Sequence, residues 1–135
     1  MMKDKNRFRG FSMVCHDWIY GDCLHVNGAE LFIVSNSQYG ASYGKETRDP
    51  IYTESLGQFT GLYDKNGKEI YEGDTVMWPS EEDGEMIGPS PVVYENGHFS
   101  IDGAVMSIDF YAGDNSNVLE VVGTYFEDQI YGCVL

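Results

Sequence analysis

Apolar residues along this chain come in short runs broken by glycine, asparagine and aspartate, and no segment keeps a 3.6-residue period beyond two turns. That pattern predicts strands and tight turns. Phe8 to Phe11 opens the first apolar stretch, and Trp18, Ile19 and Tyr20 then meet a turn signal at Gly21-Asp22. Residues 23–26 read as a short strand. Asn27-Gly28 is a strong hairpin signal, because both residues tolerate positive φ, and Leu31-Phe32-Ile33-Val34 reads as the returning strand. A hairpin is therefore expected over 22–35. Residues 35–49 are polar and glycine-rich and read as a loop that Pro50 ends; 51–56 fits a strand or one helical turn.

Further on, Phe59 and Leu62 lead into the turn Asp64-Lys65-Asn66-Gly67-Lys68, in which Asn66 and Gly67 can take positive φ. Ile70-Tyr71 follows, Gly73-Asp74 kinks the chain, and Val76-Met77-Trp78 continues it. Residues 79–91 are acidic and rich in turn formers and read as a solvated loop. Asn96-Gly97 predicts a hairpin joining Val92-Val93-Tyr94 to Phe99-Ser100-Ile101. Residues 105–111 alternate with period two, the mark of a half-buried strand, and 119–125 reads as the last strand. The tail, 126–135, fits one short helical turn. Many short strands at regular spacing predict a mainly β protein, a small barrel or sandwich. Phe59, Tyr71, Trp78, Phe99 and Phe110 are assigned to the core.

Composition agrees: among 135 residues there are 10 Tyr, 7 Phe and 16 Gly, which suit strands and the turns between them. The length fits one domain with one modest core. No apolar run reaches the roughly 20 residues needed to span a bilayer, and the charged start leads into no secretory h-region. Three cysteines, Cys15, Cys23 and Cys133, read as free thiols in a reducing cytoplasm.

Charge changes the picture most. Residues 1–68 hold all 8 Lys and Arg and 8 of the 22 Asp and Glu, a net of zero; residues 69–135 hold the other 14 acids and no Lys or Arg, which gives the whole net charge of -14. Such a field repels phosphate backbones and favours basic partners. The opposite end, with Lys3, Lys5, Arg7 and Arg9, is locally basic.

Three stretches together resemble the YopX family of phage and prophage proteins. They are Arg7-Phe8-Arg9-Gly10 with Trp18-Ile19-Tyr20-Gly21-Asp22 downstream, the long run from Leu56 through Gly57, Gly61, Asp64, Asn66, Gly67, Gly73 and Asp74 to Val76, and Val121-Val122-Gly123-Thr124-Tyr125-Phe126-Glu127-Asp128 near the end. The resemblance implies a mainly β protein with a small SH3-like β-barrel in its C-terminal part, residues 56–135, and an N-terminal β-hairpin extension, residues 1–55, within a single YopX-like domain. It also implies a phage or prophage origin in bacteria, and it implies no activity. The approach to the long motif, 49–56, is longer than usual for the family, and the absence of Lys and Arg after 68 is more extreme.

Candidate sites are few. Cys15-His16 and Cys23-x-His25 supply four metal-ligating residue types, but adjacent strand residues point to opposite faces and no C-x-x-C knuckle is present. Free thiols and satisfied histidines are the favoured reading, and no metal or cofactor is expected. The same residues lack the orienting neighbour a Cys-His catalytic pair needs, so no enzyme is expected. The acids Glu81, Glu82, Asp83 and Glu85 lack calcium-loop spacing and are assigned to an acidic interaction surface. Gly57, Gly61, Asn66, Gly67, Gly73 and Asp74 are assigned structural roles in turns and corners. The expected function is that of a non-enzymatic protein-binding module in the bacterial host cytoplasm, engaging an unknown and basic protein. A self-assembling structural module is the alternative. An enzyme or a nucleic-acid binder ranks last.

Overall fold

A computed structural model describes residues 7–34, 49–104, 107–112 and 117–134. Lys3, Lys5, most of the loop expected at 35–49, the start of the strand expected at 105–111, and the side chains of Phe110 and Cys133 lie outside the described residues. The fold is mainly β and its sheets are antiparallel. The chain divides into two units, residues 1–59 and 60–135.

In the first unit, β1 (Phe8–Phe11) pairs with β2 (Trp18–Gly21), Phe8 opposite Gly21 and Phe11 opposite Trp18. β3 (Cys23–Asn27) and β4 (Glu30–Val34) form the expected hairpin. Its turn lies one residue later than the Asn-Gly signal placed it. Asn27 joins the ladder opposite Glu30, and Gly28 takes φ +65 at the first loop position, the glycine-first pattern of a II′ turn. After a 3-10 turn at Thr53–Ser55, β5 (Gly57–Tyr63) begins by pairing Gly57 and Gln58 with Arg9 and Phe8.

Phe11, Ile33 and Ile51 are buried in this unit. Gly21 lets the strands close over Ile33, since a Cβ there would lie 2.7 Å from Ile33 Cγ2 and from Val34 O. Two buried hydroxyls satisfy backbone donors that the short strands leave over. Ser55 Oγ accepts the Phe11 N–H at 2.7 Å, and Ser12 Oγ accepts the N–H groups of Val14 and Cys15 at 3.0 Å. Arg9, one of the four cations of the locally basic N-terminal stretch, is buried at 4% exposure with its guanidinium 4.5 Å from the Trp18 ring centre. The register explains this: Arg9 sits opposite Tyr20, so Trp18 is its diagonal neighbour, and the indole face receives the cation.

In the second unit, the rest of β5 turns at 64–68 into β6 (Glu69–Tyr71). A four-stranded sheet follows in the order β10-β7-β8-β9, built from β7 (Asp74–Pro79), β8 (Met86–Glu95), β9 (His98–Ile101) and β10 (Glu120–Thr124). The sheet is open: among the described residues no sheet closes into a barrel. The β8–β9 hairpin turns at Asn96 and Gly97, with φ +55 and +83, the I′ turn its Asn-Gly signal predicts. Ile70, Val76, Trp78, Val92, Ile101 and Leu119 form the core. Of the aromatics expected there, Tyr71 and Trp78 are buried, while Phe59 and Phe99 are half-buried.

Two elements differ from expectation. Over the described part of the strand predicted at 105–111, residues 107–111, the chain forms a helical turn instead, α1 (Ile108–Tyr111). Its period-two pattern also contains the helical spacing 108, 111, 112. Ile108 and Ala112 are both buried, and the Tyr111 ring centre is 5.4 Å from that of Trp78. Residues 79–91 are not one loop: β7 runs to Pro79, β8 starts at Met86, and only 80–85 turn. A bulge makes the prolines tolerable. The register shifts between Val76, opposite Ser90, and Trp78, opposite Ile87. Gly88 absorbs the shift at φ +113, where a Cβ would come within 2.6 Å of Val76 O. The tail is longer than one turn. A π-helical turn, Phe126–Ile130, runs into α2 (Tyr131–Val134) and buries Phe126, whose ring centre is 5.6 Å from that of Tyr131.

Candidate functional site

The long motif at 57–76 is the obvious place to look for chemistry, and two of its carboxylates, Asp64 and Asp74, are buried. Gly57 is buried in β5. Gly61, Gly67 and Gly73 take φ of +87, +84 and +96, conformations that side chains resist. Asn66 does not take positive φ; it donates its N–H to Asp64 Oδ1 at 2.8 Å. Asp74 is fully buried, and its Oδ2 accepts the Tyr71 N–H at 2.8 Å across the Glu72-Gly73 turn. That turn is held from two further sides. Gly73 donates its N–H to Val92 O at 2.8 Å and accepts that of Tyr125 at 2.7 Å.

Asp64, which the sequence marks only as part of a turn and of the long motif, does more than shape that turn. It is 3% exposed. Its Oδ1 accepts the N–H groups of Asn66 and Lys68 at 2.8 and 2.9 Å, and its Oδ2 accepts that of Val121 on β10 at 3.0 Å. One carboxylate thus organises its own turn and fastens it to a strand 57 residues away. The local half of this role is visible in Asp64-x-Asn66-Gly67, where an aspartate can cap the backbone two residues on. Nothing in the sequence marks Val121 as the distant donor.

The cysteine–histidine candidates are placed separately along the first unit. Cys15 is exposed in a turn pinned by Ser12 Oγ, and His16 follows at φ +56, edge-on to Phe11 with ring centres 6.5 Å apart. Cys23 and His25 share a face of β3 by their spacing, and the His25 ring lies 6.0 Å from that of Phe32. Burial first, then the Asp22 charge and a hydrogen bond to it, push the Cys23 thiol above its ordinary range, which makes it a poor nucleophile at neutral pH. Among the described residues no three His, Cys, Asp or Glu side chains converge as a metal site would require.

Glu81, Glu82, Asp83 and Glu85 all lie in the 80–85 turn that joins β7 to β8, and all four are exposed. The turn holds its shape by internal hydrogen bonds. Ser80 donates to Glu85 O at 2.7 Å, Gly84 to Ser80 O at 3.0 Å, Glu82 to Ser80 Oγ at 3.1 Å and Glu85 to Asp83 Oδ1 at 3.0 Å. Exposure continues through Met86, Ile87, Gly88 and Pro89 of β8. Hydrated carboxylates on a hairpin end present charge to an approaching surface, and two apolar side chains, Met86 at 46% and Ile87 at 41%, stand directly behind them. No helix among the described residues is long and apolar enough to cross a membrane.

Comparison with known proteins bears on the fold and the family. The chain is similar to the crystal structure of protein EF1440 from Enterococcus faecalis, with a TM-score of 0.52 and 17% sequence identity, over 95% of this chain and 99% of that one. At that identity the likeness concerns the fold alone. No curated protein matches the chain. The family model described as YopX protein matches residues 7–129, from the start of the first described segment to the π-helical turn. On that match, the chain belongs to the YopX family.

Proposed function

We propose that this YopX-family chain is a non-enzymatic protein-binding module of phage or prophage origin, acting in the bacterial host cytoplasm and presenting an acidic surface to a basic protein. The observation that carries the reading is the exposed turn Glu81-Glu82-Asp83-Gly84-Glu85, in a stretch, 69–135, that has no Lys or Arg to neutralise it. The polar groups of the long family motif that the hydrogen bonds account for serve turns and strand junctions, which leaves the acidic surface as the feature best suited to a partner. An SH3-like arrangement in open form belongs to the same reading. Short antiparallel strands joined by tight turns around Val76, Trp78 and Leu119 support it.

The test is a pull-down from bacterial lysate at low and at high salt, read by mass spectrometry, with wild type beside the neutralised variant Glu81→Gln/Glu82→Gln/Asp83→Asn/Glu85→Gln. The expected result is a basic protein retained by wild type at low salt, released at high salt and not retained by the variant. Retention of the same proteins by both forms sinks the reading. Self-assembly is the second reading, favoured by Leu24 and Val26 on β3, which are 40% and 66% exposed on a two-stranded sheet. Light scattering that finds a monomer at every concentration counts against it.

A further inference from the structure

Charge alone does not explain why β8 leaves the acidic turn with two large apolar side chains in water. Met86 stands opposite Pro79 and Ile87 opposite Trp78. Consecutive strand residues point to opposite faces, so the hairpin end carries one half-exposed apolar side chain on each face, next to the four carboxylates. Strand pairing along the outer edge of this part of β8 is obstructed. β9 covers only Val92 to Glu95, among the described residues no strand flanks 86–90 on that side, and the edge is broken by the Gly88 bulge and by Pro89, which has no N–H to offer. Recognition here is therefore by side chains.

The geometry points to the β7–β8 hairpin end as a docking element for an extended cationic segment of another protein that crosses the free edge of β8, reaches Met86 on one face and Ile87 on the other as apolar anchors, and carries apolar residues between its lysines or arginines. The inference rests on the acidic-surface reading and specifies how that surface holds its partner. Charge complementarity selects the occupant. Glu81, Glu82, Asp83 and Glu85 attract cationic side chains, whereas a second copy docked end to end would set four carboxylates against four. The anchors supply what the charges cannot. Exposed ion pairs are screened by salt, while apolar burial is not, and a flexible methionine adapts to partners of differing shape.

The experiment titrates three forms of the full chain with two probe peptides, one alternating lysine with leucine and one alternating lysine with serine. The forms are wild type, Met86→Thr/Ile87→Thr and the neutralised acidic variant, and binding is read by calorimetry at low and high salt. Near-ultraviolet circular dichroism confirms that each form is folded. Wild type is expected to bind the lysine–leucine peptide more tightly and to keep that preference at high salt. The threonine variant is expected to lose about tenfold for that peptide and nothing for the lysine–serine peptide. If wild type binds both peptides alike and only the neutralised variant loses them, the anchors are irrelevant and the acidic-surface reading stands without this inference. If wild type binds neither, both fail. If wild type self-associates and the threonine variant is a monomer, the occupant is a second copy and the inference is overturned.

Discussion

Two turns in the second unit use the same chemical group in opposite ways. At 64–68 a single carboxylate, Asp64, is buried and accepts three backbone N–H groups, two from its own turn and one from β10. At 80–85 four acids stand exposed, and Asp83 accepts one backbone N–H, that of Glu85, from within the turn. The first turn is a joint and the second is a surface. An acidic residue earns no role from its charge alone. What decides is whether the fold brings N–H donors to it, because a buried charge-assisted hydrogen bond is worth roughly 1.5–3 kcal/mol and an exposed carboxylate gains little over water.

The comparison can be broken most easily at Asp64. Asp64→Ala leaves three N–H groups without their acceptor and is expected to cost about 3 kcal/mol or more of unfolding free energy in urea. Asp64→Asn keeps an acceptor for the turn and places an amide against the Val121 N–H, so its cost is expected to be about half as large. Equal costs for the two variants would mean that the bond to β10 dominates and the local turn contributes nothing. A smaller effect is expected at Gly88, which carries the geometry of the exposed hairpin. Gly88→Ala forces a side chain to φ +113 and against Val76 O, at about 2 kcal/mol. A neutral result there would show that the bulge is not fixed. The smallest effect is expected where the charge is greatest. Neutralising Glu81, Glu82, Asp83 and Glu85 together is expected to move stability by less than about 1 kcal/mol, upwards if anything, because like charges are being removed. A large loss would turn the second turn into a joint as well.

How much of this was legible beforehand depends on the range of the interaction. Asn96-Gly97 turns where its sequence says, because the I′ turn is a property of two residues. Asn27-Gly28 locates its hairpin but misplaces the turn by one residue, since the pairing of Asn27 with Glu30 is chosen by packing along both strands. The stretch 105–111 satisfies two periods at once, and burial of Ile108 and Ala112 together with the Trp78–Tyr111 contact selects the helix. Residues 86–91 look like loop because they hold two prolines and a glycine, yet β7 pairs with them through a bulge. Arg9 is one of four cations in the locally basic N-terminal stretch, and its burial follows only once its diagonal neighbour is known to be Trp18. In the candidate site, the four acids of 80–85 and the structural glycines were visible, and the anchoring of Asp64 was not.

The sequence by itself determined the mainly β architecture, the YopX-type motifs, the turn at Asn96-Gly97, and the confinement of net charge to residues 69–135. Those properties follow from single residues or short spacings. Only the tertiary structure decided that Asp64 is a joint, that Arg9 is buried, that the C-terminal sheet is open, and that Met86 and Ile87 stand exposed behind the acidic turn. Each of these depends on which distant strand supplies a donor, a ring or a cover, and that is fixed when the strands pair.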